Sequence, residues 1–335
     1  MPIISTPHAF HEEQLYIDLR RIVGQPLYLK CEGFNFAGSV KLKAALSMIE
    51  AAERDGVLKP DSILIESSSG NLGIALAMIA ASKGYRFLCV SDSHSNPITC
   101  KVMQALGAQV HVITVPSVSG GFLGARLEFL RAKLEADSRY VWLNQYKNEN
   151  NWGAHYHSTG PAIARSFPGL DVLFIGAGTC GTLTGCARYF RDRAKPVRIV
   201  AIDAVGSVTF GGAPSRRLIP GLGTAVRPAI ADESLLDELL MVEEEDTIRM
   251  CRQMASHGFL FGGSSGTVVS GAVRWLEQHG RPDMTCVAIS PDFGERYIDS
   301  IYQDGWVREN YSEQVLMVPS GNGTRWSENG HRVSA

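Results

Sequence analysis

Two lysines, Lys41 and Lys43, follow the turn Phe34-Asn-Phe-Ala-Gly-Ser-Val40 and open a run of good helix formers, Val40–Ala52. Ser39 is expected to cap that helix, which puts Lys41 in its first turn. The positive end of the helix dipole disfavours an ammonium there, lowers its pKa and favours the neutral amine. A neutral lysine amine is the nucleophile of Schiff-base chemistry. Lys43 offers a second amine two residues on. A single lysine so placed is usually no more than solvated, so its meaning depends on the rest of the chain.

Three further stretches share one design, in which a strand ends, small residues follow and a helix begins. They are Ser67-Ser-Ser-Gly-Asn71, Gly176-Ala-Gly-Thr-Cys-Gly-Thr182 and Gly262-Gly-Ser-Ser-Gly266. Free backbone N–H groups at such a helix start can cradle an anion. The same turns also simply close β-α connections, so none of them is specific alone. The second satisfies G-x-G-x-x-G, and Asp203 ends the next strand 22 residues after Gly181. By spacing that is a dinucleotide fingerprint, with Asp203 on a ribose, and it makes an NAD-dependent oxidoreductase a rival reading. That reading leaves Lys41 and Ser67–Asn71 without a role.

The elements that must position these residues alternate short apolar strands with helices. Strands are expected at 26–31, 62–66, 86–90, 109–115, 141–143, 172–175, 198–203, 239–242 and 285–290. Helices are expected near 16–23, 40–52, 74–83, 99–106, 120–136, 183–192, 246–257 and 262–279, with a last one at 294–302. Residues 144–157 read as a polar stretch without an element, and 206–228 as a long irregular connection. The rhythm implies parallel β-α-β units and an α/β fold in two lobes.

Composition narrows the function classes. Among 335 residues the formal net charge is −2, and no basic run or zinc-finger spacing occurs, so nothing favours nucleic acid or an acidic membrane. The seven cysteines form no C-x-x-C pair and read as reduced, mostly buried thiols. No apolar run approaches membrane-spanning length, and the first residues lack a signal-peptide pattern, so a cytoplasmic location is expected. His155 and His157 have no evident third partner, so no metal is expected.

Taken in order, the motifs resemble the fold-type II pyridoxal-phosphate enzymes, the cysteine synthase and cystathionine β-synthase superfamily. The resemblance runs from about residue 22 to 303. It is carried by Asn35-Phe-Ala-Gly-Ser-Val-Lys41, Ser67-Ser-Ser-Gly-Asn-Leu-Gly73, Asn144-Gln-Tyr146, His155-Tyr-His-Ser-Thr-Gly-Pro161, Gly178-Thr-Cys-Gly-Thr182, Gly263-Ser-Ser-Gly266 and Gly294-Glu-Arg-Tyr297. It implies a two-lobed fold, each lobe a largely parallel sheet flanked by helices. Residues 1–35 with 146–318 would form the larger, cofactor-binding lobe and 36–145 the smaller, mobile one, with a disordered tail at 319–335. It also implies a homodimer.

The resemblance assigns roles as well. Lys41 would carry pyridoxal 5′-phosphate and act as general base at Cα. Gly178, Thr179, Cys180, Gly181 and Thr182 would hold the phosphate, Asn71 would meet the ring oxygen and Ser264 the ring nitrogen. Ser67, Ser68, Ser69, Gly70 and Asn71 would receive the substrate carboxylate, with Gln145 nearby. The chemistry would be β-replacement through an aminoacrylate. The chain departs from the pattern at Leu42-Lys43, where the family often has Asp-Arg or Cys-Arg, and at Cys180, which stands for a usual glycine or threonine.

A closer resemblance is to the branch that joins O-phospho-L-serine to L-glutamate on the way to 2,3-diaminopropionate, a building block of siderophores and peptide antibiotics. It is carried by stretches such as Gly120-Gly-Phe-Leu-Gly-Ala-Arg126, Trp142-Leu-Asn-Gln-Tyr146 and Arg217-Leu-Ile-Pro-Gly-Leu-Gly223. A phosphate dianion is best held by arginine forks and hydroxyls, which makes Arg126, Arg217, Tyr146 and Thr179 the candidates. Cysteine synthesis from acetylserine or phosphoserine with sulfide is the alternative within the superfamily. A catalytically silent homologue is the alternative outside it, and intact Lys41, Asn71 and Ser264 argue against that.

Overall fold

The structure is a computed structural model that describes residues 3–118 and 120–317. The first lengths of chain give β1 (Tyr16–Asp18), α1 (Arg20–Val23), β2 (Leu27–Cys31) and α2 (Lys41–Arg54). A β-α run follows: β3 (Ile63–Ser67), α3 (Asn71–Lys83), β4 (Arg86–Asp92), α4 (Pro97–Ala105), β5 (Gln109–Ile113), α5 (Gly121–Ala136) and β6 (Tyr140–Trp142). Two helices, α6 (Glu149–His157) and α7 (Thr159–Ser166), lead to β7 (Val172–Gly176), α8 (Gly181–Arg191) and β8 (Arg198–Ala204). The remainder is β9 (Glu238–Val242), α9 (Glu244–Ser256), α10 (Gly263–His279), β10 (Cys286–Ser290) and α11 (Asp304–Asn310).

The strands form two sheets. One has six strands in the order β1-β2-β10-β7-β8-β9, and the other has four in the order β5-β4-β3-β6. Every pairing is parallel except that of β1 with β2. Parallel strands need crossovers, and the helices between them cover both faces of the larger sheet. Along β7 the pleat sends Phe174 to a core shared with α10 and Trp275, while Leu173 and Ile175 join α8 residues Leu183 and Cys186 on the other face. In the smaller sheet α3 is buried from Leu72 to Ala80 on every side, as its uniformly apolar sequence demands. All seven cysteines are free, and only Cys100 is not buried. No helix among the described residues is long and apolar enough to cross a membrane.

Four local expectations fail for physical reasons. Residues 16–23 split into an edge strand and one helical turn, because Tyr16–Asp18 pairs with Tyr28–Lys30. Ser39 does not cap α2. Its backbone bridges to Asp292, the helix begins after Val40, and the Ser39 hydroxyl is buried without a partner. The polar stretch 144–157 contains helix α6, started by the Asn148 side chain accepting from the Asn150 N–H. The helix expected at 294–302 is a single 3-10 turn at Glu295–Tyr297, and the next helix begins only at Asp304. The expected tail at 319–335 lies outside the described residues.

Candidate active site

The carboxyl ends of β3, β7 and β10 deliver Ser67–Gly70, Ala177–Cys180 and Pro291–Asp292, the end of a parallel sheet where ligands gather. The start of α2 is strapped to the last of these, with the Val40 N–H donating to the Pro291 carbonyl at 2.8 Å. That fixes Lys41 across a small cavity from Gly178, Thr179, Cys180, Gly181 and Thr182.

The two lysines meet different fates. Among the described residues the Lys41 amine has no hydrogen-bond or ion-pair partner. Burial lowers its pKa, partly opposed by Asp292 and Cys180, so the direction expected from the helix start holds but burial is the leading cause. Lys43 is a buried ion-pair partner, with its Nζ 2.9 Å from Glu32 Oε2 and 3.7 Å from Glu13 Oε1. Burial pushes the Glu32 carboxyl up, but Lys43 and Lys30 outweigh it and hold the pKa at about 2. Lys43 is therefore held in a buried ion pair, and among the described residues the Lys41 amine is left without one.

Opposite Lys41, the turn before α8 is shaped for close approach. Cys180 sits at the N-cap with φ +67°, a left-handed conformation unusual for a residue with a Cβ. A Cβ on Gly181 would collide with the Asn151 side chain. Asn151 donates to the Gln145 carbonyl at 2.7 Å and to Thr179 Oγ1 at 3.4 Å, tying this turn to the 144–146 segment. Burial raises the Cys180 thiol to about 12, so it stays protonated.

Asp292 organises the other side of the site and escaped the sequence reading. It accepts from the Ser264 hydroxyl at 2.7 Å, the Asn71 amide at 2.8 Å and the Tyr297 hydroxyl at 2.9 Å. Asn71 also accepts from Arg296, whose other arm donates to the Ala37 carbonyl at 2.8 Å. Asn71 and Ser264 start helices belonging to different sheets, and Asp292 joins them. Its only sequence signal was its place just beyond the last parallel strand, next to Pro291.

The expected substrate residues fall into two groups. Ser67 is buried with an unpartnered hydroxyl, Ser68 Oγ accepts from the Gly73 N–H at 3.0 Å, and Ser69 is exposed. Gln145 donates to the Ser67 carbonyl at 3.1 Å. Behind them lies Glu66, also unforeseen, which accepts from Ser67 N–H at 3.0 Å, Trp142 Nε1 at 2.9 Å and Gln145 N–H at 3.3 Å. Burial still dominates there and lifts its pKa to about 7. The second group is Tyr146, whose surroundings include both Arg126 and Arg217. Arg126 is paired with Asp92 at 3.3 Å, and Arg217 donates to the Leu222 carbonyl at 2.9 Å with its Nε unpartnered. Burial lowers the Arg217 pKa.

Asp203 does not fit the ribose role. It is fully buried, accepts from the Ala204 N–H at 2.8 Å and is raised to about 6 by burial. The G-x-G-x-x-G spacing here has the dinucleotide form without an acidic group open to a ligand.

The sequence profile described as "Pyridoxal-phosphate dependent enzyme" matches residues 14–292. An N-(2-amino-2-carboxyethyl)-L-glutamate synthase of Ralstonia nicotianae is 40% identical over 283 residues, 84% of this chain and 83% of the relative. A synthase of the same name from Cupriavidus metallidurans is 37% identical over 300 residues, 87% of each. Among solved structures, a lysine-to-alanine mutant of O-ureido-L-serine synthase with O-ureido-L-serine bound superposes with a TM-score of 0.83 at 30% identity, covering 96% of this chain and 100% of that one.

Proposed function

This chain belongs to the pyridoxal-phosphate dependent enzymes, and on that premise we propose that it replaces the phosphate of O-phospho-L-serine with the amine of L-glutamate. The product is N-(2-amino-2-carboxyethyl)-L-glutamate and the by-product inorganic phosphate. The observation that carries the reading is the 40% identity, over 84% of the chain, to a synthase of that name. The residues present fit the cofactor: an unpaired lysine amine faces a turn whose amides and hydroxyls suit a phosphate.

In this reading Lys41 holds pyridoxal phosphate, and Gly178–Thr182 hold its phosphate. Asn71 and Ser264, both hydrogen-bonded to Asp292, would meet its ring. When bound, the cofactor supplies an electron sink for the Cα electrons. Lys41, with its pKa lowered by burial, is suited to take the Cα proton once its amine is free. Ser67–Asn71 and Gln145 hold the substrate carboxylate at the start of α3, and the free Ser67 hydroxyl is available for it. Arg126, Arg217 and Tyr146 receive the departing phosphate. A cytoplasmic homodimer supplying diaminopropionate for a siderophore or peptide antibiotic completes the proposal. Light scattering of the purified protein tests the dimer.

The deciding experiment supplies pyridoxal phosphate and O-phospho-L-serine with either L-glutamate or sulfide, and follows phosphate release and product mass. Phosphate release that depends on glutamate, with the mass of the glutamate adduct, is expected. Release with sulfide alone, giving cysteine, overturns the reading in favour of cysteine synthesis.

A further inference from the structure

Behind the Gly178–Thr182 turn lies a buried chain of polar groups that the proposed chemistry does not use. Glu32 stands between Lys30 at 3.2 Å and Lys43 at 2.9 Å. Lys43 Nζ lies 3.3 Å from Thr159 Oγ1, which lies 3.0 Å from His155 Nδ1. His155 Nε2 in turn lies 3.2 Å from Thr182 Oγ1. Lys43, Thr159 and His155 are only 7%, 0% and 1% exposed, so water does not compete along the chain.

The chemistry of these groups fixes its direction. An ammonium only donates, so Thr159 Oγ1 accepts from Lys43. Among the described residues the buried Thr159 proton then has one partner, His155 Nδ1. Burial drives the His155 pKa down to about 3, against the opposing pull of Glu32, so the imidazole is neutral and carries one N–H. With Nδ1 accepting, that N–H is on Nε2 and donates to Thr182 Oγ1. Thr182 is left with its own O–H to give. The turn from Gly178 to Thr182 contains no cation of its own.

We propose that Lys43, Thr159 and His155 are positioning residues, a one-way relay that presents Thr182 as a proton donor to the cofactor's phosphate. The relay rests on the reading of Gly178–Thr182 as the phosphate site. Hydrogen bonds in such a chain polarise one another, and the low-dielectric surroundings preserve the effect over its length. It also gives Lys43 a use in a place where the family often has another residue.

Thr159→Val removes the hydroxyl while leaving the Lys43–Glu32 pair, and Thr159→Ser restores it. Binding of pyridoxal phosphate, inorganic phosphate and phosphate-free pyridoxal to the apoprotein is measured for each by fluorescence titration. Thr159→Val is expected to weaken both phosphate-bearing ligands by about tenfold, the loss of one hydrogen bond to a charged group. It should leave pyridoxal unchanged, and Thr159→Ser should match wild type. Thr159→Ala, which also removes the hydroxyl and leaves the Lys43–Glu32 pair, should show the same selective loss, and serves if Thr159→Val does not fold. Unaltered phosphate affinity in these variants, or an equal loss for pyridoxal, overturns the relay. Wild-type apoprotein that binds neither pyridoxal phosphate nor phosphate overturns instead the reading on which it rests.

Discussion

Lys43 Nζ lies 2.9 Å from Glu32 Oε2, inside the protein, and that ion pair distinguishes two amines that stand two residues apart on α2. Successive helical positions are about 100° apart, so Lys41 and Lys43 leave the helix in widely different directions. One meets the Cys180 turn and the other meets a carboxylate. The consequence for chemistry is direct, because a committed ammonium is not a nucleophile.

Lys41→Ala should therefore abolish the visible absorbance of bound pyridoxal phosphate. Lys43→Ala should retain it at saturating cofactor, but leave Glu32 short of a partner and lose about 3–5 kcal/mol of stability. Absorbance spectra and urea unfolding of the two variants check this. An absorbance band kept by Lys41→Ala and lost by Lys43→Ala would reverse the assignment.

Glu66 gives stability a pH dependence. Burial raises its pKa from 4.5 to about 7, so the folded state binds a proton that the unfolded chain has released between those values. Its contribution is complete below about pH 4.5, falls as pH rises to about 7, and amounts to about 3 kcal/mol. Glu13 and Glu32, both held at about 2, act in the opposite sense and only at lower pH, as acid protonates them. Asp203, raised to about 6, adds a fall of the same sign and His155, lowered to about 3, opposes it up to about pH 6.5, so Glu66→Gln should lessen the fall between pH 5 and pH 8 by about 2 kcal/mol relative to wild type. Unfolding free energies at pH 5 and pH 8 test it, and equal declines in the two proteins would refute it.

Cys180 occupies a left-handed position, φ +67°, for which glycine has no steric cost. Cys180→Gly should bind pyridoxal phosphate at least as tightly as wild type. Cys180→Val, β-branched at the same angle, should lose more than about 1 kcal/mol of stability. Thermal unfolding with and without cofactor would reveal a contrary order.

Arg126 is paired with Asp92 and shares the surroundings of Tyr146. If it receives the substrate phosphate, Arg126→Ala should raise the KM for O-phospho-L-serine about tenfold or more and alter that for O-acetyl-L-serine little. Equal losses on both substrates would leave Arg126 a structural partner of Asp92 and nothing more.

The sequence by itself determined the α/β class, the parallel rhythm and the three turns, each written in contiguous residues, where periodicity and small-residue spacing act locally. The cofactor followed from the family resemblance that the motifs carry when taken in order. Tertiary structure decided the rest. It turned residues 16–18 into an edge strand, because β2 offers that segment a pairing partner that its own periodicity cannot announce. It took Ser39 from its capping role by pairing its backbone with Asp292, far away in sequence. It buried Asp203 and so emptied the dinucleotide spacing of its chemistry. Above all it paired Lys43 with Glu32 and not Lys41, and set Asp292 between Asn71 and Ser264. Those outcomes depend on charges and hydrogen bonds made across long stretches of chain, and the energy of a buried charge is set by its partners in space.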